Sequence, residues 1–162
     1  MKSMMGKAAF AAVLALAATT ASAEVTVNFV NPEKFADLPL GDWERKKVLE
    51  DLAAYFKKLG EDMPKGQDLA LEIYNVDLAG QEVRGDRAGG DMRVRDGKND
   101  WPLIELQYSV ISNGQVIENN NARISDVAYL QRMMKRAYEM DELRFEKRMI
   151  QEWFKKTILK KS

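Results

Sequence analysis

Residues 104–124 read IELQYSVISNGQVIENNNARI, and this stretch decides the predicted fold. Apolar and polar side chains alternate over its first half, which is the period of a half-buried strand. Asn113-Gly114 follows, and this pair between two apolar runs is the strongest short-range signal for a β-hairpin. The returning strand carries three asparagines in its middle, which favours an edge position. We therefore expect an antiparallel hairpin at the edge of a sheet.

A strand and a helix are predicted upstream of this hairpin. Val25–Phe29 alternates apolar and polar side chains, as a short strand does. Over residues 43–59 apolar side chains recur at helical spacing, with Asp42 as the expected N-cap and Gly60 as the expected C′ glycine. The residues expected to pack this helix on the sheet are Leu49, Leu52 and Phe56.

A second strand is predicted over residues 69–78. Its alternation changes phase near Tyr74, which indicates either a β-bulge or burial on both faces, as in a central strand. Since strand, helix and strand follow in that order, we expect a right-handed parallel crossover.

Residues 79–102, AGQEVRGDRAGGDMRVRDGKNDWP, contain five glycines and few apolar side chains. A loop this long within a compact domain is usually functional or mobile. Met92 and Val94 are expected to form a short extra strand inside it. The acidic positions of this segment weakly resemble a calcium loop, but the interleaved basic residues favour an ordinary solvated loop; these acids are Asp86, Asp91, Asp96 and Asp100.

Two helices are predicted near the C-terminus. Ser125-Asp126 is a candidate cap for a short helix that carries Val127, Leu130, Met133, Met134 and Ala137. A final helix after Asp141 aligns Leu143, Ile150, Trp153, Phe154 and Ile158 along one side. The predicted fold class is α+β or α/β: one domain with β-α-β-β-β-α order, a mixed sheet of about four strands, and helices packed on one face.

Residues 1–23 have the organisation of a cleavable secretory signal. Two lysines precede an apolar run of 11 residues, and Ala21-Ser22-Ala23 supplies the small-x-small cleavage pattern. The run is too short for a membrane anchor, because spanning a bilayer takes about 17 to 25 residues. We expect cleavage after Ala23, export to the periplasm, and a single mature domain over residues 24–162.

The composition excludes several function classes. Cleavage of the signal would leave 23 basic and 25 acidic residues, so the mature net charge of −2 does not favour nucleic acid as a partner. The absence of cysteine excludes a lipoprotein, a thiol nucleophile and a thiolate metal site. The absence of histidine removes the commonest general base and metal ligand. No cofactor and no metal site is predicted, and only carboxylates, lysines, arginines, tyrosines and hydroxyls remain for chemistry.

Four residues are candidates for weak ligand or partner binding: Asp77, Arg93, Trp101 and Asp126. Asp77 ends a predicted strand, where ligands gather in open α/β sheets, although a turn-forming aspartate is equally expected there. Arg93 and Trp101 are residue types that dominate binding hot spots, although a tryptophan at an element end more often closes a core. The charged run 146–148 is expected to be a solvated helix face or to give i,i+4 support, and Glu142, Glu146 and Arg123 are candidates for an ion-pair cluster. No catalytic residue is assigned.

Five passages of this chain resemble a family of uncharacterised secreted proteobacterial proteins, known as a domain of unknown function. The passages are VTVNFVNPEKF at 25–35, VDLAG at 76–80, DWP at 100–102, SDVAYL at 125–130 and EKRMIQEWF at 146–154. The resemblance implies a periplasmic, single-domain protein of Gram-negative bacteria. It implies no activity, ligand or catalytic residue.

Three hypotheses about function remain open. The leading one is a non-enzymatic binding or envelope-accessory protein whose partner, an unknown periplasmic protein or a small ligand, contacts the 79–102 face. The alternative is a carboxylate-dependent hydrolase of an envelope substrate, which uses Asp77 with a second acid. The third is a weak association of the C-terminal lysines with anionic lipid, without a stable membrane anchor.

Overall fold

The computed structural model describes residues 23–85, 92–133 and 140–160. The helices and strands of these ranges are β1 (Val25–Phe29), α1 (Asp42–Gly60), β2 (Gln67–Asp77), β3 (Gln81–Val83), β4 (Met92–Val94), β5 (Leu103–Ser112), β6 (Gln115–Ser125) and α2 (Arg144–Trp153). A short π-helix, Phe154–Ile158, continues α2. Within these ranges, no helix is long and apolar enough to cross a membrane.

The main sheet has four strands in the order β1-β2-β5-β6. β1 and β2 run parallel, as the strand–helix–strand order predicts, and the other neighbours run antiparallel. Asn113 and Gly114 form the turn between β5 and β6 with φ angles of 50° and 78°. Two positive φ angles at this position suit a tight hairpin turn, which explains the Asn-Gly pair. The mixed sheet, the hairpin and the edge position of β6 are therefore confirmed.

The phase change in β2 is a β-bulge. The register between β2 and β5 shifts between Ile73 and Asn75, so Tyr74 is the extra residue. The shift returns Val76 to the core side, where it is fully buried. Burial on both faces is not the explanation, because Glu72 and Tyr74 remain exposed.

Both helices pack on the same face of the main sheet and form the main core with it. Leu52 and Phe56 of α1 are fully buried there, as predicted, and Leu49 packs at its margin. From α2, Trp153 contacts the rings of Phe56 and Tyr108 edge to face, with centroids 6.5 and 5.5 Å away. The opposite face of the sheet carries polar residues and is open to solvent.

The ends of α1 differ from the prediction. The helix begins at Asp42 itself, after Gly41, and no side chain caps it. Gly60 is the last helical residue, not a left-handed C′ glycine. Its role is close packing, because a Cβ at position 60 would lie 2.1 Å from Cγ2 of Val25 on β1.

The helix predicted after Asp126 is not formed over residues 127–132, which make turns. The carboxylate of Asp126 is paired with arginines and so does not cap a helix. The side chain of Tyr129, which belongs to this segment, is buried. A regular helix that faces solvent would not require a buried side chain here. The remaining positions of this prediction, Met134 and Ala137, lie outside the described residues.

The short strand predicted at Met92–Val94 is confirmed as β4. It pairs with β3 in a second, two-stranded antiparallel sheet within the 79–102 segment. Gly80 precedes this hairpin with φ of +87°, and a Cβ there would lie 2.4 Å from the carbonyl oxygen of Val94. The two ends of the segment expected to be an open loop, residues 79–80 and 100–102, are thus packed against the domain. Asp86 and Asp91 lie outside the described residues.

Candidate functional site

Glu146 and Lys147 of α2 are buried and Arg148 is partly buried, so their interpretation as a solvated face is wrong. Glu146 is 1% exposed and Lys147 is 7% exposed. Consecutive helical residues point about 100° apart. The three side chains therefore contact three different parts of the domain.

Lys147 joins α2 to α1. Its ammonium lies 3.0 Å from a carboxylate oxygen of Asp51 on α1 and 2.7 Å from one of Asp141. Burial alone would lower the pKa of Lys147, but the hydrogen bonds to the two carboxylates raise it above its usual value. The charge of Lys147 is therefore retained inside the domain.

Arg148 holds the turns of residues 126–132. It donates to the carboxylate of Asp126 over 2.9 Å and to the carbonyl oxygen of Tyr129 over 2.7 Å. Arg132 also contacts Asp126 and forms a two-hydrogen-bond pair with Glu152. Asp126 is therefore an anchor for this segment.

Glu146 points toward the loop that follows β2. Its Oε1 accepts a hydrogen bond of 2.7 Å from the N–H of Ala79. Its Oε2 has no hydrogen-bond partner among the described residues, although it is buried. Burial raises the pKa of Glu146, which the Ala79 N–H and the nearby Arg95 only partly oppose.

Glu146 lines a cleft of about 470 Å³ that we call the hairpin cleft. Its walls are α1, the β3–β4 hairpin and the start of α2. The lining residues are Pro39, Trp43, Glu44, Lys47, Val48, Leu78, Glu82, Met92, Arg93, Arg95, Glu142, Leu143 and Glu146. Trp43 and Met92 are exposed at its rim, which gives the entrance an apolar surface.

Three buried polar atoms that have no hydrogen-bond partner within the described part of the chain come from residues that line the hairpin cleft. They are Glu82 Oε2, Arg95 Nε and Glu146 Oε2. Arg95 donates a hydrogen bond from its Nη2 to the carbonyl oxygen of Glu142. Burial lowers the pKa of Arg95. Because buried polar groups in proteins are nearly always paired, this cleft suits a ligand that supplies the missing donors and acceptor.

A second cleft, of about 530 Å³, lies on the other side of β3, and we call it the aspartate cleft. Asp37 and Asp77 line this cleft, and their backbones are paired through an isolated parallel β-bridge. Arg93 donates hydrogen bonds from both terminal nitrogens to the carboxylate oxygens of Asp37, over 2.6 and 3.3 Å. Burial and the charge of Asp37 raise the pKa of Asp77, while the charge of Arg93 opposes this shift.

The structure brings two of the four predicted binding residues together. Asp77 and Arg93 meet around Asp37, between the two clefts. Trp101 packs instead against the cluster of Ala79, Tyr129 and Phe145, which we call the second core. Binding roles for these residues stay predictions.

The ion-pair cluster proposed for Arg123 is not formed. Arg123 lies 3.3 Å from Glu105 across the β5–β6 hairpin. The carboxylate of Glu146 points instead toward Ala79. The reason is register, since Arg123 and Glu105 face each other on β6 and β5.

Asp100 is buried and not part of a solvated loop. Its Oδ2 accepts the O–H of Tyr129 over 2.9 Å and the N–H of Asp96 over 2.9 Å. Burial by itself would raise the pKa of Asp100, but these hydrogen bonds lower it. Across the described ranges, no group of three or more acidic residues is arranged to hold a metal ion.

Sequence reasoning missed Glu82, Arg95 and Glu146 as site residues. Glu146 carried a usable signal, because the charged run 146–148 lies directly between the apolar residues Phe145 and Met149. A helix flanked in this way has little solvated face left for three charges. Glu82 and Arg95 carried no such signal, since a short charged hairpin reads like any surface loop.

Comparison with known proteins places the chain in a family without assigning an activity. No curated protein and no solved structure matches it. The family described as "Protein of unknown function (DUF3016)" matches residues 23–156, which includes both clefts and both cores. The chain belongs to the DUF3016 family.

Proposed function

We propose that this chain is an exported, non-enzymatic binding protein of the Gram-negative periplasm, and that its ligand or partner enters the hairpin cleft. The observation that carries the proposal is Glu146, a carboxylate 1% exposed whose second oxygen lacks a partner within the described residues. Proteins rarely bury a charge-bearing group unpaired. A bound molecule that completes the hydrogen bonding of Glu146 would offset the free-energy cost of burying this carboxylate.

Export and origin rest on the sequence. Residues 1–23 have the charge, apolar run and cleavage pattern of a secretory signal. The five resembling passages agree with a secreted proteobacterial family. N-terminal sequencing of the protein from a periplasmic fraction should begin at Glu24; periplasmic material that begins at Met1 would refute the signal.

Binding in the hairpin cleft is tested by capture from a periplasmic extract. Wild-type protein is compared with Met92→Arg, which places a bulky charge at the rim, and with Met133→Arg. Met133 is 97% exposed and lines neither cleft, so it is the matched control. We expect the bound species, measured by native mass spectrometry, to be lost in Met92→Arg and kept in Met133→Arg. Equal occupancy in both variants would exclude the hairpin cleft.

A second candidate function is a carboxylate-dependent hydrolase of an envelope glycan, centred on the aspartate cleft. The observation that favours it is the pair of Asp37 and Asp77. Asp37 is ion-paired to Arg93, whereas the raised pKa of Asp77 suits a general acid. Glycoside hydrolysis commonly uses two carboxyl groups in such contrasting environments.

The hydrolase hypothesis is tested with purified peptidoglycan. It requires the wild-type protein to release soluble fragments, and Asp77→Asn, which preserves size and polarity, to abolish the release. No release by the wild type at high protein concentration counts against this hypothesis and leaves the binding function as the better explanation.

A further inference from the structure

We propose that the hairpin cleft binds an α-ammonium group together with its adjacent carbonyl oxygen, as found in a free amino acid or at the amino end of a peptide. This inference rests on the proposed function, because it names the ligand of the same cleft.

Two carboxylates of the cleft need hydrogen-bond donors. Glu82 and Glu146 each have a buried oxygen without a partner among the described residues. A protonated amine carries three N–H donors and one positive charge in a small volume. One such group therefore has enough donors for both oxygens.

Two of the three cations that line the cleft, Arg93 and Lys47, already have partners of their own. Arg93 donates to Asp37 and to the carbonyl oxygen of Gly80. Lys47 holds its ammonium 5.6 Å from the centre of the Trp43 ring, a cation–π distance. The charge of Arg95 only partly offsets the burial of Glu146, so an ammonium of the ligand would add the positive charge that Glu82 and Glu146 lack.

Arg95 supplies the opposite requirement. Its Nε is a buried donor that has no acceptor in the described ranges, while its Nη2 donates to the carbonyl oxygen of Glu142. A carbonyl or carboxylate oxygen of the ligand would pair with this N–H. An ammonium beside such an oxygen is what an amino-acyl group presents.

The remaining walls specify an apolar side chain and a small ligand. Val48, Leu78 and Leu143 line the cleft beside the charged residues. A volume of about 470 Å³ falls within the range of pockets for small molecules, of order 300 to 1,000 Å³. A leucine-like residue, alone or at the start of a short peptide, matches this combination.

Calorimetric titration of the mature protein with three related probes tests the inference. L-leucine and L-leucyl-L-leucine have the free ammonium, whereas N-acetyl-L-leucinamide lacks it and keeps the side chain and carbonyl. We expect binding of at least one of the first two and none of the third. Tighter binding of leucine identifies free amino acids as the ligand class, and tighter binding of the dipeptide identifies peptide amino ends.

Variants locate the binding. Glu82→Gln should weaken the preferred probe about tenfold, equivalent to about 1.4 kcal/mol. Arg95→Lys keeps the charge but removes the Nε donor, and should also weaken it. Glu50→Gln removes an acid of α1 that does not line the hairpin cleft and should leave affinity unchanged. Equal thermal unfolding of the three variants shows that folding is intact.

Two results overturn the inference: binding of the acetylated probe as tight as that of leucine, or an unchanged affinity in Glu82→Gln. If neither amine binds while Met92→Arg still loses a molecule captured from the extract, the inference fails and the proposed function stands. If neither amine binds and no captured species depends on Met92, both fail.

Discussion

The main core and the second core are stabilised by different interactions, although α2 contributes to both. The main core is apolar, and residues such as Leu52, Phe56 and Ile150 are fully buried in it. The second core is small and is surrounded by charges: Arg95, Arg144 and Arg148 lie over the ring of Phe145, at 4.6 to 5.7 Å. The comparison shows one domain using hydrophobic burial for its frame and paired charges around its cleft.

The difference has a functional consequence. Hydrophobic contacts are non-directional, whereas a charged hydrogen bond fixes the position of both groups. Glu146 directly follows Phe145, and its carboxylate accepts the N–H of Ala79, so a residue of the second core sets where this carboxylate points. The residues of the second core therefore position the hairpin cleft, and the apolar main core supports it.

The largest expected effect is in the main core. Leu52→Ala should lower the free energy of unfolding by roughly 2 to 5 kcal/mol, because it leaves a cavity in close-packed apolar surroundings. Urea unfolding measures this effect, and Leu49→Ala at the core margin should cost less. A change within experimental error would show that α1 does not hold the sheet as described.

Arg148→Met tests the polar region with a comparable loss. It leaves the carboxylate of Asp126 buried without its best partner, and removing one partner of a buried pair costs about 3 kcal/mol or more. The same urea experiment measures it. If Asp126→Asn combined with Arg148→Met is no more stable than Arg148→Met alone, the unpaired charge is not the cause.

Tyr129→Phe should have a smaller effect, of about 1 to 2 kcal/mol. The ring contact with Phe145, whose centroid lies 4.8 Å away, is kept, while Asp100 loses the O–H donor. Without this hydrogen bond the pKa of Asp100 should rise, and carbon-detected NMR titration of its carboxyl group measures that shift. An unchanged pKa would mean that the hydrogen bond is not formed in solution.

We expect Glu146→Gln to change the pH dependence of the free energy of unfolding in a defined direction. Burial raises the pKa of Glu146 above its ordinary value of 4.5, so the folded state holds the proton more tightly than the unfolded state. Wild-type stability should therefore fall as pH rises from 4.5 through the raised pKa. The glutamine variant lacks this loss, so its stability relative to wild type should increase over that window and then level off.

Chemical unfolding at a series of pH values checks this prediction, with Glu50→Gln as the control for an exposed acid. The difference between Glu146→Gln and wild type should change with pH, and that for Glu50→Gln should change much less. A parallel course for the two variants would contradict the burial of Glu146.

The smallest effect is expected for an exposed ion pair. Arg123→Met removes the contact with Glu105, and such surface pairs contribute about 0 to 1 kcal/mol. Unfolding in low and high salt measures it. A loss as large as that of Arg148→Met would remove the distinction between buried and exposed pairs on which the comparison depends.

Much of the frame followed from local sequence patterns. Alternation placed β1 and β5, the phase change near Tyr74 offered a bulge as one of two alternatives, and Asn113-Gly114 located the hairpin turn. These features depend on residues near each other in the chain, so periodicity and turn chemistry reveal them. The helix predicted after Asp126 failed because its cap residue is paired with Arg148, 22 positions away.

The sequence by itself determined the strand and helix pattern, the single-domain size and the exclusion of cysteine and histidine chemistry. Only the tertiary structure decided which charges are buried. Glu146 reaches Ala79 across 67 positions, and Arg93 reaches Asp37 across 56. The energy of a charge depends on its surroundings in space, on burial and on partners, none of which local sequence records. For this reason the frame could be predicted and the cleft could not.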